Sequence, residues 1–257
     1  MKKIVLLAAQ AGGQILKKKF GTALKIEHKG VVDLVTDADR AAEEAIVAEI
    51  RGIFPRHNIL AEEADYGQSS SRYCWIIDPL DGTTNFAHGF PWFAVSVAMA
   101  VDDEVVMGAV YNPFSDEMFF AEKGHGASLN ELQIRVSNTS RLDDSLLATG
   151  FPYDRKSSPA NNYDHFVNFQ NQAQACRRAG VASLDLANTA AGRLDGYWEM
   201  KLKPWDVAAG ALIVQEAGGQ VTDFEGGPFD IRGQEVLASN GRIHQQMQDV
   251  LKTGLRP

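Results

Sequence analysis

The sequence predicts a mixed fold, α+β over residues 1–140 and α/β over residues 141–257, with the two halves sharing one core and one site. Two patterns and one number point there. β-rich segments at 93–101, 104–111 and 117–122 are separated by Asp102-Asp103 and Asn112-Pro113, the pattern of an antiparallel meander. Beyond residue 145, short apolar strands alternate with helix-period segments, as in α/β proteins. At 257 residues, 45% hydrophobic and 23% charged, the chain has the length and mixture of a globular protein of one large domain or two closely packed ones.

Each element follows from a local pattern. Leu6, Ala9, Gly13 and Leu16 fall at helical spacing before Lys17-Lys18-Lys19, so the first element is an amphipathic helix. Its apolar run is too short for a signal peptide, and no run in the chain is long enough to span a membrane. A turn-rich lead-in over 28–35 precedes Thr36-Asp37-Ala38-Asp39, where Thr36 and Asp39 have capping-box spacing. The helix that follows places Ala42, Ile46, Ile50 and Ile53 on one stripe and ends at Phe54-Pro55. Ile59-Leu60-Ala61 delivers Glu62-Glu63, the serine-rich stretch 66–72 reads as an exposed flap, and Trp75-Ile76-Ile77 is a buried strand ending at Asp78. After the meander, strands at 145–149, 176–178, 196–200, 220–224 and 236–238 enclose helices near 162–174, 182–191 and 205–217, the last closed by Gly218-Gly219.

Charge and motif content narrow the chemistry. The 33 acidic residues against 25 Lys and Arg give a net charge of −8, which opposes nonspecific binding to nucleic acid or anionic lipid. An anionic ligand therefore needs a local reversal of field, for which a bound divalent metal is the usual means. Cys74 and Cys176 form no CxxC or Cys/His cluster, so a reducing cytoplasm is the simplest setting. The six histidines lack metal spacing, and the phosphate-loop, dinucleotide and serine-hydrolase signatures are absent.

The informative stretch is Trp75-Ile76-Ile77-Asp78-Pro79-Leu80-Asp81-Gly82-Thr83-Thr84. An apolar strand ends in a carboxylate, Pro79 stops the ladder, and a second carboxylate follows within reach of the same edge. With the Leu80 carbonyl they make an all-oxygen donor set that suits Mg²⁺ before Mn²⁺ or Ca²⁺. Gly82 lets backbone N–H groups approach an anion, the more so if Thr83-Thr84 starts a helix. The same residues also read as an Asp-Pro turn followed by an Asp-Gly turn. Glu62 is a further candidate ligand or a solvated acidic turn, and Asp39 a catalytic group or merely a cap. Asp206 is a ligand or a plain first-turn helix aspartate, kept ionised by the helix dipole.

In this order and approximate spacing the motifs resemble the inositol monophosphatase family. Asp78-Pro79-Leu80-Asp81-Gly82-Thr83-Thr84-Asn85-Phe86 is similar to its first signature, and Trp205-Asp206-Val207-Ala208-Ala209-Gly210 with Glu216-Ala217-Gly218-Gly219 to its second. Asp33 to Asp39, Glu62-Glu63 and Gly192 to Glu199 match as well, so the resemblance covers nearly the whole chain. It departs at Val181 and Ala61, which stand at usually smaller positions, and at His28, where some relatives have lysine.

The resemblance implies a layered αβαβα sandwich of the inositol monophosphatase and fructose-1,6-bisphosphatase type, in a cytoplasmic, lithium-sensitive homodimer. It implies two or three Mg²⁺ held by Glu62, Asp78, the Leu80 carbonyl, Asp81 and Asp206, with phosphate over Gly82 and Thr83. Asp39 would pair with the Thr83 hydroxyl and, with Glu62, position the attacking water, while Asp81, Ala182 and Glu199 would face the polyol. The implied reaction is hydrolysis of inositol 1-phosphate, with fructose 1,6-bisphosphate, histidinol phosphate or adenosine 3′,5′-bisphosphate as alternative substrates. A haloacid-dehalogenase-type reading would need Asp at position 79, which is Pro. Some bacterial relatives contact the transcription machinery, so a regulatory partner role stays open, without direct nucleic-acid or membrane binding.

Overall fold

Helical periodicity after Met1 gives α1 (Lys2–Lys19), which buries Val5, Ala8, Ala9 and Leu16 and ends in three lysines suited to a helix C-terminus. The computed structural model describes residues 1–23, 26–28 and 34–253. Within the lead-in, β1 (Ile26–His28) and β2 (Leu34–Thr36) pair antiparallel, while Asp33 and the side chain of His28 lie outside the described residues. Thr36 caps α2 (Asp37–Ile53): its Oγ1 accepts the Ala38 N–H at 3.1 Å, and Asp39 Oδ2 accepts the Thr36 N–H at 2.8 Å. Ala42, Ile46 and Ile50 are buried as expected, whereas Ile53, at the frayed end of that stripe, is 59% exposed.

The meander is the centre of a seven-stranded sheet. Its strands are β3 (Asn58–Ala61), β4 (Tyr73–Asp81), β5 (Ala94–Val101), β6 (Glu104–Asn112), β7 (Glu117–Glu122), β8 (Ala127–Leu129) and β9 (Leu132–Gln133), in spatial order of sequence. Only β3 and β4 run parallel. Between β4 and β5 the chain makes the short α3 (Thr83–Ala87). The supposed flap is tied down, because the Asn58 side chain donates to the Ser69 and Ser71 carbonyls and accepts the Ser69 N–H at 2.7 Å.

A single-turn 3₁₀ helix (Leu142–Asp144) leads into the second half. There the chain alternates β10 (Leu146–Thr149), α4 (Tyr163–Gln170), β11 (Ala175–Arg177), α5 (Ala182–Ala190), β12 (Gly196–Met200) and α6 (Pro204–Glu216). It finishes with β13 (Gln220–Thr222), β14 (Glu235–Ser239) and α7 (His244–Leu251). The sheet order is β11-β10-β12-β14-β13; β10 is parallel to β11 and β12, and β14 antiparallel to both its neighbours.

Three apolar clusters make the layers. α1 and α2 cover one face of the large sheet, over Ile46, Trp75, Val95 and Val97. α5 and α6 fill the space between the sheets, over Ala98, Val110, Tyr197 and Ala238. α4 and α7 close the outer face of the second sheet, on Phe169, Trp198 and Leu237. The result is the αβαβα sandwich. α6 is apolar all round because it is wrapped on every side, as a middle-layer helix must be.

Candidate active site

Pro79 does not end its strand; β4 continues to Asp81 through a bulge. Asp78 stands opposite Ser96 and Asp81 opposite Ala94, so three steps along β4 match two along β5. The bulge accommodates a residue that cannot donate to the ladder. It also changes which way the acids face. In a regular strand residues three apart point to opposite faces, and the extra residue lets Asp78 and Asp81 line one cavity.

Long-range hydrogen bonds hold these side chains. Asp78 Oδ1 accepts the Leu80 N–H at 3.0 Å, and Asp81 Oδ2 accepts the Ser183 N–H at 2.7 Å from the first turn of α5. Gly82 has φ +95°, and a Cβ there would lie 2.8 Å from Val181 Cγ2 and 3.2 Å from the Trp92 carbonyl, so only glycine fits. Thr83 Oγ1 is 2.9 Å from Asp39 Oδ1 and 3.0 Å from the Leu80 carbonyl. Asp39 Oδ2 meanwhile takes the Thr36 hydroxyl at 2.6 Å, so Asp39 is both the cap of α2 and the support of Thr83. It is fully buried behind Thr83 and does not itself line the cavity.

Glu62 reaches the cavity from the end of β3. No motif announces what steadies this corner: Glu43, buried on α2, accepts the Glu63 N–H at 2.9 Å and the Tyr66 hydroxyl at 3.0 Å. Asp206 enters from the first turn of α6, where its Oδ2 accepts the Lys203 N–H at 2.7 Å. Glu199 enters from β12, where the Tyr197 hydroxyl donates to Oε2 at 2.6 Å. A Cβ built on Gly150 would overlap the Glu199 carboxylate, so this glycine is the seat in which Glu199 rests.

The cavity measures about 280 Å³ and gathers Glu62, Asp78, Leu80, Asp81, Gly82, Thr83, Ala182, Glu199 and Asp206. Roomier hollows of about 590 and 800 Å³ lie elsewhere and collect no comparable set of acids. The same cavity is lined by Phe151, Tyr153, Arg178, Lys201 and Lys203, none of which motif reading singled out. Among the described residues no histidine lines the cavity; His244, for instance, is buried between Thr222 and Ser239.

Burial raises the Asp78 carboxyl well above the usual carboxylate range, and the charges of Glu62, Asp81 and Asp206 push it further. Asp206 is raised by burial first and then by Asp81, Glu62 and Glu199, so desolvation and like charge outweigh the pull of the helix dipole toward the ionised form. Burial lifts Asp81 to about 6 against the pull of its Ser183 contacts, and Glu199 to about 7. Among the described residues no three such side chains stand in ready metal-holding geometry. The donor chemistry nevertheless fits a hard divalent cation: four carboxylates and a carbonyl, all oxygen, whose mutual repulsion a cation relieves.

Comparison with known proteins identifies the family and the fold. The family model described as the inositol monophosphatase family matches residues 1–253. A Synechocystis protein named inositol-1-monophosphatase is 47% identical over 97% of this chain and 88% of its own. A Pseudomonas aeruginosa protein named Nus factor SuhB is 41% identical over the whole of this chain and 97% of its own. The solved structure of an inositol monophosphatase from Anabaena (Nostoc) superposes with a TM-score of 0.89 at 44% identity, covering 97% of this chain and 94% of that one.

Proposed function

Because this chain belongs to the inositol monophosphatase family, we propose that it is a Mg²⁺-dependent phosphomonoesterase that hydrolyses inositol 1-phosphate to inositol and orthophosphate by direct attack of water. One observation carries the reading: Glu62, Asp78, Asp81 and Asp206 line a single cavity with Leu80, Gly82, Thr83 and Glu199. The first four and the Leu80 carbonyl would hold the metal, two or three ions in all. The chemistry supplied by Mg²⁺ when bound is electrostatic, acidifying water, offsetting phosphate charge and stabilising the departing alkoxide.

The chain's own groups divide the remaining work. Thr83 donates its proton to Asp39, which leaves the Thr83 oxygen lone pairs free to accept a hydrogen bond from the attacking water and orient it. Glu62 faces the same space and takes the proton that this water loses. Gly82, without a side chain, lets phosphate oxygens close on the backbone of the Gly82-Thr83 turn. Glu199 accepts hydrogen bonds from hydroxyls of the leaving alcohol, and the Ala182 backbone borders the same side. Lys203 brings positive charge to the cavity lining of a strongly acidic chain and favours approach of the anionic ester, while the neighbouring Lys201 is held by Asp154 at 2.7 Å.

The test is phosphate release with Mg²⁺ from inositol 1-phosphate, fructose 1,6-bisphosphate, histidinol phosphate and adenosine 3′,5′-bisphosphate, with Asp81→Asn as control. Preference for inositol 1-phosphate, lost in the variant while its melting temperature without Mg²⁺ holds or rises, supports the reading. Preference for another ester keeps the metal chemistry and reassigns the alcohol pocket.

A second reading has its own support in the relatives named Nus factor SuhB at 41% identity. The chain would then also contact the transcription machinery. Retention of that contact by Asp81→Asn would show it to be independent of turnover.

A further inference from the structure

The cavity that gathers the acids also holds a cation that neither motif contains. Arg178 sits at the cavity mouth, two residues before Gly180, which has φ +78°; a Cβ at Gly180 would come within 2.5 Å of an Arg178 terminal nitrogen. The left-handed glycine thus turns the backbone and clears the space through which the arginine side chain folds back. Its guanidinium lies 6.0 Å from the centre of the Phe151 ring, which also lines the cavity, so its position is fixed from two sides.

The surroundings of Arg178 are acidic. Its positive field favours the ionised forms of Glu199 and of Asp185, a carboxylate on α5 that is only 3% exposed and whose Oδ2 has no hydrogen-bond partner. Glu199 is itself locked by the Tyr197 hydroxyl on one side and the bare Gly150 on the other. An immobilised acceptor and a planar, multidentate donor therefore line one cavity and act on each other electrostatically.

We propose that Arg178 is a specificity-determining residue that donates to one oxygen of the leaving alcohol while Glu199 accepts from the hydroxyl on the adjacent carbon, so that the site selects phosphate esters of vicinal polyols. A Glu–Arg pair reads a diol as two neighbouring oxygens, one approached as donor and one as acceptor. A leaving group without a second oxygen leaves both members of the pair unanswered in a confined space, which is where discrimination by hydrogen bonding is strong. The inference rests on the phosphatase reading above and deepens it on the alcohol side.

The experiment compares kcat/KM for inositol 1-phosphate and for p-nitrophenyl phosphate, whose leaving group has no vicinal hydroxyl, in wild type, Arg178→Ala and Arg178→Lys with Mg²⁺. Inhibition by inorganic phosphate reports the metal and phosphate half of the site. Loss of a charge-assisted hydrogen bond predicts that Arg178→Ala lowers the ratio of the two kcat/KM values about ten- to a hundredfold, mainly through KM for the polyol ester. Arg178→Lys, which keeps the charge without the planar fork, recovers a minor part of that ratio. An equal loss with both esters, a matching weakening of phosphate inhibition, or an unchanged ratio would overturn the proposal. Wild type that turns over p-nitrophenyl phosphate but not inositol 1-phosphate overturns the substrate reading and this inference together. A fall in the ratio with wild type active on both separates the two questions in the proposal's favour.

Discussion

Replacing Gly108 by alanine tests whether the position of α6 on the large sheet sets the geometry of the acids. Gly108 lies in β6, and a Cβ there would come 2.8 Å from Ala209 Cα and 3.1 Å from both Cβ and the carbonyl oxygen of Ala209 on α6. Ordinary carbon contacts are about 3.8 Å, so the helix must retreat by roughly 1 Å. The obstacle is backbone, and no flexible side-chain end can yield. α6 is held from behind by β13 and β14, so the retreat is resisted. Overpacking of this kind costs about 1–3 kcal/mol, of which the added methyl returns about 0.8. A net loss of up to about 2 kcal/mol lowers the melting temperature by up to about 8 °C in a chain of this size.

The functional consequence should exceed the loss of stability. Asp206 rides on the first turn of α6, whereas Asp78 and Asp81 belong to the sheet from which the helix is pushed. A displacement of about 1 Å between them predicts a fall in kcat on the order of a hundredfold, with a weaker response to Mg²⁺. Gly52→Ala is the control, because nothing lies within 4 Å of a Cβ there and the change favours its helix by up to about 1 kcal/mol. Thermal melting and phosphate release against Mg²⁺ concentration measure both effects. If Gly108→Ala melts with wild type and keeps its kcat, the helix is not wedged and the coupling argued here is wrong.

Other perturbations reach different joints of the same molecule. Gly150→Ala should unseat the Glu199 carboxylate and raise KM for a polyol phosphate about tenfold or more, with phosphate inhibition little altered; equal KM values would mean that Glu199 does not touch the alcohol. Asp39→Asn should lower kcat about a hundredfold with little change in KM, since Thr83 loses the carboxylate that takes its proton, and an unaffected kcat refutes that assignment. Burial lowers His244 from 6.5 to about 4, so the unfolded chain takes up a proton first and stability is lost as pH falls from about 6.5 to about 4. The loss is at most about 3 kcal/mol and about 2 after solvent screening, and a pH-independent difference between wild type and His244→Gln would exclude it.

The parts of the fold legible in the sequence are those with sustained periodicity or local chemistry. The capping box at Thr36 and Asp39, the meander and the starts of α3 and α6 all fall where local patterns put them. The bulge at Pro79 does not, because a proline announces only a missing donor and the neighbouring strand decides whether the ladder stops or shifts. α7 is legible too, since Ile243, Met247, Val250 and Leu251 fall at helical spacing and are all buried; what the pattern does not announce is the burial of its polar positions His244 and Gln248, which depends on partners met only in the folded protein. In the site, the acids stand out because they cluster along the chain. The groups that steady or balance them do not: Gly150 meets Glu199 across the second sheet, Glu43 holds the Glu63 backbone from another element, and Arg178 matters through a cavity 100 residues away from Asp78 in sequence.

The middle layer also sets the order in which the molecule can become whole. Ser96 on β5 donates to the Trp205 carbonyl at the start of α6 across a separation of 109 residues, and the apolar inner face of the large sheet is covered only by α5 and α6. A nascent chain that has completed the meander therefore exposes Ile76, Ala98, Val110 and Phe119 until roughly another hundred residues are made, about 5–20 seconds at ordinary synthesis rates. During that interval the strands have no lasting partner on that face, and the docking that closes it is a slow, high-contact-order step. The helix that brings Asp206 to the cavity is thus also the one whose arrival ends the chain's exposure to aggregation and chaperone capture.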